Sequence, residues 1–156
     1  MRTIKYELGD ATAPVGEGRK IIVHICNDIG GWGKGFVMAI SRRWKEPEQE
    51  YRKWHASGEG FELGVVQYVQ VEEDTWIANI IGQHKLRKSN DGEPPIRYPA
   101  VESGLKAISD FAKEINATVH MPRIGCGLAG GNWEVIEKLI NKNLAEVDTT
   151  VYDFKE

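Results

Sequence analysis

Cysteine is scarce in this chain. Two thiols, Cys26 and Cys126, stand among 156 residues, too few for a disulfide framework. Each ends an apolar, strand-like run, where cysteine acts as a small inert hydrophobe. Neither is expected to be a nucleophile or redox centre, and cytoplasmic residence is expected. Long apolar runs are missing too. No stretch reaches the roughly 18 residues that a membrane-spanning helix needs, and "MRTIKYELGD" lacks the apolar core of a signal peptide. No C-x-x-C or H-x-x-x-H pair occurs, so no metal-ligand spacing is present, and no cofactor is implied. A basic excess is also lacking. The net charge is −3, which argues against a general nucleic-acid binder, since such a protein needs a broad basic face. It leaves room for a small anion held by backbone amides. The balance of 41% apolar and 28% charged residues is that of an ordinary globular protein. One domain over 1–156 with a single core is expected, as a monomer.

Glycine, by contrast, is concentrated. "HICNDIGGWGKGF" carries Gly30, Gly31, Gly33 and Gly35, and "RIGCGLAGG" carries Gly125, Gly127, Gly130 and Gly131. Each cluster follows an apolar strand-like run and precedes a helix-like one. Glycine costs more backbone entropy on folding than any other residue. Two such clusters in one small domain therefore ask for a reason beyond tight turns. Without a Cβ, backbone N–H groups line a concavity and reach phosphate oxygens directly. A helix N-terminus behind the loop adds partial positive charge. Two facing loops would grip a diphosphate from both sides, at the carboxyl ends of strands. Neither cluster has the spacing of the triphosphate-binding loop or of the dinucleotide fingerprint.

Hydrophobic periodicity places these loops in an α/β chain. Strands are expected over 2–9 and 19–26, the second nearly continuous in apolar residues and so buried on both faces. Helices follow over 35–46 and 47–57, with Pro47 ending one and opening the next. "FELGVVQYVQVEEDTWIANIIGQ" reads as two strands joined at "EEDT". "HKLRKSNDGEPPIR" is a long polar loop of the kind often tied to function. A helix over 98–116, a strand from 117 into the second glycine loop, a helix over 132–146 opened by Asn132, and a strand over 149–154 complete the chain. Mixed strands and helices without a linker point to an α/β sandwich around one sheet. His24 and His120 sit inside strands and are expected to be satisfied core histidines.

"GDAT", "HICNDIGGWGKGFVMAIS", "IGQHK…PPIRY", "MPRIGCGLAGGNW" and "VYDF" together resemble the macrodomain family over nearly the whole chain. The branch they resemble contains terminal ADP-ribose protein glycohydrolase and the chromatin-remodeller macro module. The resemblance implies a three-layer α/β/α sandwich with a mixed central sheet of about six strands, and ADP-ribose in a cleft at the strand ends. It assigns Asp10 and Ala11 to the adenine. Gly31, Trp32, Gly33, Lys34, Gly35 and Phe36 would surround the diphosphate and distal ribose, with Trp32 covering the ligand. Ile124, Gly125, Cys126, Gly127, Leu128 and Ala129 would face them. Tyr152 and Asp153, with Phe154, would border the adenine, unless Tyr152 is a core aromatic. Asn27 would face the distal ribose or hold the turn.

The same branch uses a lysine after the "IANII"-type strand and an aspartate in the second glycine loop. Gln83 and Ala129 stand at those positions here. Lys85 lies two residues past Gln83, where a small register shift would restore an amine, but nothing in that loop replaces the aspartate. The polar candidates for catalysis are therefore Asn27, Asp28, Gln83, His84 and Lys85, with Asp28 or His84 as the base. The expected function is hydrolysis of ADP-ribose esters, either mono-ADP-ribose on acidic side chains or O-acetyl-ADP-ribose. The alternatives are a non-catalytic ADP-ribose reader or an ADP-ribose 1″-phosphate phosphatase. The expected partner is ADP-ribose or a molecule that carries it.

Overall fold

The structure, a computed structural model, describes residues 4–154. In chain order the elements are β1 (Lys5–Leu8), β2 (Arg19–Asn27), α1 (Phe36–Arg43), α2 (Glu46–Ser57), β3 (Val66–Glu72) and β4 (Thr75–Gln83). They continue with α3 (Tyr98–Ile115), β5 (Ala117–Met121), α4 (Trp133–Asn143) and β6 (Thr149–Asp153). The six strands form one sheet in the order β1-β6-β5-β2-β4-β3. Only β3 pairs antiparallel; the other pairings are parallel. The mixed sheet expected from the resemblance is present. The first residues of the strand expected over 2–9 lie outside the described residues.

Strand alternation builds the layers. In β2, Ile21 and Val23 face α3 and α4, packing with Leu105, Ile108, Ile136 and Ile140. Ile22 and Cys26 face the opposite way, onto Val37 and Ile40 of α1 and Tyr51 of α2. Ile21, Ile22 and Val23 are fully buried, and each contributes about 1.5–3 kcal/mol of apolar burial. A strand covered on both faces reads as a continuous apolar run, which is why "IIV" shows no alternation. Among the described residues, no helix is long and apolar enough to cross a membrane.

The helices depart from expectation at their ends. α1 stops at Arg43, because Trp44 turns extended (φ −140°, ψ 134°) and packs on the α1/α2 side of the core. Pro47 lies in the first turn of α2, where its missing N–H costs nothing. Helix α4 starts as expected, with the Asn132 side chain accepting the Glu134 N–H at 2.8 Å, and ends at Asn143.

Parallel pairing has a consequence for position. Five strands point the same way, so their carboxyl ends share one edge of the sheet. The segments after β1, β2, β4, β5 and β6 therefore emerge side by side. These are 9–18, both glycine clusters, the polar loop from His84, and the residues around Phe154.

Candidate functional site

Two adjoining pockets open along that edge. The larger, about 240 Å³, has Lys34, Gly35 and Phe36 of the first glycine loop on one wall. Gly125, Gly127, Leu128 and Ala129 of the second loop form the other, with His24, Ile25 and Gln83 also lining the space. The smaller, about 150 Å³, lies among Gly9, Asp10, Ala11, Tyr152 and Phe154. Phe36 and Pro122 line both, so they form the boundary between them.

The first loop is held from within by Asn27. Its Oδ1 accepts the N–H of Ile29 at 3.0 Å and of Gly31 at 2.9 Å, while its Nδ2 donates to the Gly31 carbonyl at 2.9 Å. The Tyr51 hydroxyl donates to the Asn27 carbonyl at 2.6 Å. Asn27 is 7% exposed, so its side chain is spent on the loop. Arg52 donates to the Gly30 and Trp32 carbonyls from α2, which gives those two acceptors a partner within the protein. The N–H groups of Gly33, Lys34 and Gly35 donate to no protein group among the described residues, nor do those of Cys126, Gly127, Leu128 and Ala129. Both walls thus present free backbone donors.

The glycines divide into two kinds. Gly30, with φ of 78°, has His55 Nδ1 2.4 Å from where a Cβ would stand. A Cβ on Gly125, with φ of 72°, would meet the Ile96 side chain at 2.7 Å, and one on Gly131 would meet the Gly125 carbonyl oxygen at 2.4 Å. The fold requires these. Gly33 and Gly127 have neither left-handed backbone nor any atom within 4 Å of a Cβ. Nothing in the fold asks for glycine there. What a Cβ would take from both is open space beside the donors.

The side chains around the cleft hold distinct tasks. His24 is 2% exposed, and burial pushes its pKa down to about 4, so the ring is neutral and donates from Nε2 to Asn79 Oδ1. Asn79, fully buried in "TWIANIIG", also donates to Gln67 Oε1 at 3.0 Å. The sequence reading passed over it, although one amide inside an apolar run was the available signal. Gln83 donates to the Lys85 carbonyl at 2.8 Å. Asp28 pairs through Oδ2 with His84 Nδ1 at 2.6 Å. Lys34 is exposed and makes no ion pair among the described residues. Asp10 Oδ1 takes the Thr12 N–H at 2.8 Å and its hydroxyl at 2.7 Å, leaving Oδ2 without a protein donor. The Tyr152 ring is 3% exposed in the smaller pocket. Its hydroxyl meets His120 Nδ1 at 2.7 Å and accepts the Val15 N–H at 3.0 Å. Tyr152 is thus both a core aromatic and part of the pocket. Phe154 is 70% exposed there.

Several expected positions lie off the pockets. Trp32 does not cover the cleft. It is 6% exposed, donates from Nε1 to Ser41 Oγ at 2.8 Å, and packs against His24 and Tyr51. A polar partner on α1 and an apolar bed beneath the loop draw the indole inward. Asp153 is engaged by Arg123, through Nε at 2.6 Å and Nη2 at 3.0 Å. These bonds hold its carboxyl below the ordinary carboxylate range. Arg123 itself lines the larger pocket and lies over the Tyr6 and Trp133 rings; it was missed because its partners are distant in sequence. The Cys126 thiol donates to the Ile124 carbonyl, and burial raises its pKa. Gly31, Gly33 and Cys126 line neither pocket, and of the catalytic candidates only Gln83 does; Asn27, Asp28, His84 and Lys85 sit behind or beside the walls.

No family model matches the chain. A macrodomain protein from Streptomyces coelicolor is 50% identical, with a TM-score of 0.85 over 96% of this chain and 98% of that one. A protein of unknown function from Bacteroides thetaiotaomicron is 56% identical, with a TM-score of 0.95 over 96% and 97%. Chromodomain-helicase-DNA-binding protein 1-like from Danio rerio is 35% identical over 97% of this chain. The chain spans only about one sixth of that relative's length, 16%. An ADP-ribose 1″-phosphate phosphatase from Lodderomyces elongisporus is 26% identical over 96% of this chain and 98% of its own.

Proposed function

The chain belongs to the macrodomain family, and from that premise we propose that its paired pockets bind ADP-ribose and that it hydrolyses ADP-ribose esters. The adenine takes the smaller pocket, against Phe154 and Tyr152, with the free Oδ2 of Asp10 accepting the exocyclic amine. The diphosphate lies between the glycine loops, under the free amides of residues 33–35 and 126–129. The α1 N-terminus adds its partial positive charge. The distal ribose extends along the larger pocket toward Gln83. Asn27 supports this reading by shaping the loop, not by touching the reacting bond.

The observation that carries the proposal is the pair Gly33 and Gly127: glycines that the backbone does not require, on loops whose amides lack protein acceptors. Full-length similarity to an ADP-ribose 1″-phosphate phosphatase supports a hydrolytic role at the distal ribose. Gln83 and Ala129 favour a second reading, a binder without turnover, since they offer neither an amine nor a carboxylate.

Two measurements separate these. Calorimetry should give micromolar-class affinity for ADP-ribose, about −8 kcal/mol. Incubation with glutamate-linked ADP-ribosylated protein should release free ADP-ribose. Binding without release favours the reader, and release of phosphate from ADP-ribose 1″-phosphate alone favours the phosphatase. No binding at millimolar ligand refutes the proposal.

A further inference from the structure

We infer that Asp28 and His84 form an acid–base dyad in which His84 moves the proton and Asp28 is a positioning residue. This inference rests on the ester-hydrolase reading above. Strands β2 and β4 are parallel neighbours, with Asn27 opposite Gln83 after a register shift at Cys26/Asn27. The residues that follow, Asp28 and His84, therefore leave the sheet together, though 56 positions apart. Asp28 Oδ2 meets His84 Nδ1 at 2.6 Å, and Asp28 Oδ1 accepts the Lys85 N–H at 2.8 Å. Lys85 adopts φ of 58°, a left-handed conformation uncommon outside glycine. That turn aims its N–H at the carboxylate and fixes the start of the polar loop beside the cleft.

Two consequences follow from the hydrogen bonding. Each Asp28 oxygen already has a donor, so Asp28 is not the free base. A carboxylate at Nδ1 keeps the proton on that nitrogen, which makes Nε2 the acceptor. Nε2 has no protein partner among the described residues, and the His84 side chain is 40% exposed. The residue before it, Gln83, lines the larger pocket. This is the arrangement of a base held in one tautomer by an orienting carboxylate.

The step balances without a co-reactant other than water. Nε2 takes one proton from a water whose oxygen attacks the ester carbonyl carbon. The tetrahedral intermediate then expels the ribose oxygen, and the proton on Nε2 passes to that oxygen. One carbon–oxygen bond forms and one breaks. The products are the free acid and ADP-ribose, and the imidazole returns to neutral.

The test uses the full chain and three readouts. Long-range proton–nitrogen correlation spectra should show His84 protonated at Nδ1 in the wild type, and this preference should vanish in Asp28→Ala. Single-turnover hydrolysis of a glutamate ADP-ribose ester should fall on the order of 100-fold in His84→Gln, with the affinity for ADP-ribose unchanged within about threefold. That unchanged affinity also reports a folded cleft. Added imidazole should restore part of the rate to His84→Ala. A wild type that cleaves the ester while His84→Gln cleaves equally fast overturns the dyad alone. A wild type that binds ADP-ribose but never cleaves removes the hydrolase reading and the dyad with it. An Nε2-protonated His84 in the wild type overturns the positioning role of Asp28.

Discussion

Replacing Gly127 by alanine separates the two reasons a chain keeps a glycine. The backbone at Gly127 is not left-handed, and a Cβ there would stand more than 4 Å from any protein atom beyond its two chain neighbours. The folded state should accept it. The unfolded chain loses freedom, so stability should stay level or rise by about 0.4–1 kcal/mol. For a domain of this size that is a rise in Tm of up to roughly 2–4 °C. Binding should move the other way. The methyl group would enter the cleft of about 240 Å³ where the diphosphate must approach the loop amides. Losing one charge-assisted hydrogen bond costs about 1.5–3 kcal/mol, which weakens ADP-ribose binding roughly 10- to 100-fold. Urea denaturation and calorimetry on the same variant read both terms. Unchanged affinity would show that the second loop does not hold the ligand. A destabilisation above about 1 kcal/mol would show that the fold needs this glycine after all.

The complementary variant is Gly131→Ala, whose Cβ would stand 2.4 Å from the Gly125 carbonyl oxygen. It should destabilise by about 1–3 kcal/mol, read as a lower urea midpoint. Asn27→Ala removes the bonds that shape the first loop and should cost about 2–3 kcal/mol, with faster proteolysis at 28–35. Stability should also fall in acid. Burial holds His24 and His120 near pKa 4 in the folded state, against about 6.5 when unfolded. Between pH 6.5 and 4 the unfolded chain therefore binds protons that the folded chain refuses, and stability declines as pH drops through that window. Two such groups give a slope approaching about 2.7 kcal/mol per pH unit. His120→Gln should roughly halve it in urea melts taken across that range, and an unchanged slope would refute the assignment.

The order of elements was legible because burial imposes a period. An unbroken apolar run in "IIV" and the inward stripe Val101, Leu105, Ile108 each announced a buried element that the fold contains. "RTIKYELG" also announced a strand, but Lys5–Leu8 is exposed along its length, so its alternation marks no buried face. The Asn132 cap was legible from one side chain at the right offset. Both glycine loops stood out because composition alone marks them. Trp32 was misjudged, because whether an indole lies over a cleft or under a loop depends on Ser41, nine residues on.

What the sequence determined by itself is local: the periodicities, the caps and the concentration of glycine after two strands, all governed by contacts within a few residues. The tertiary structure alone decided the rest. It set the strand order that brings five carboxyl ends to one edge. It separated the glycines that relieve a clash from those that leave open space, and it joined Asp28 to His84. Those depend on which distant backbones lie side by side, and the packing of the whole sheet sets that distance.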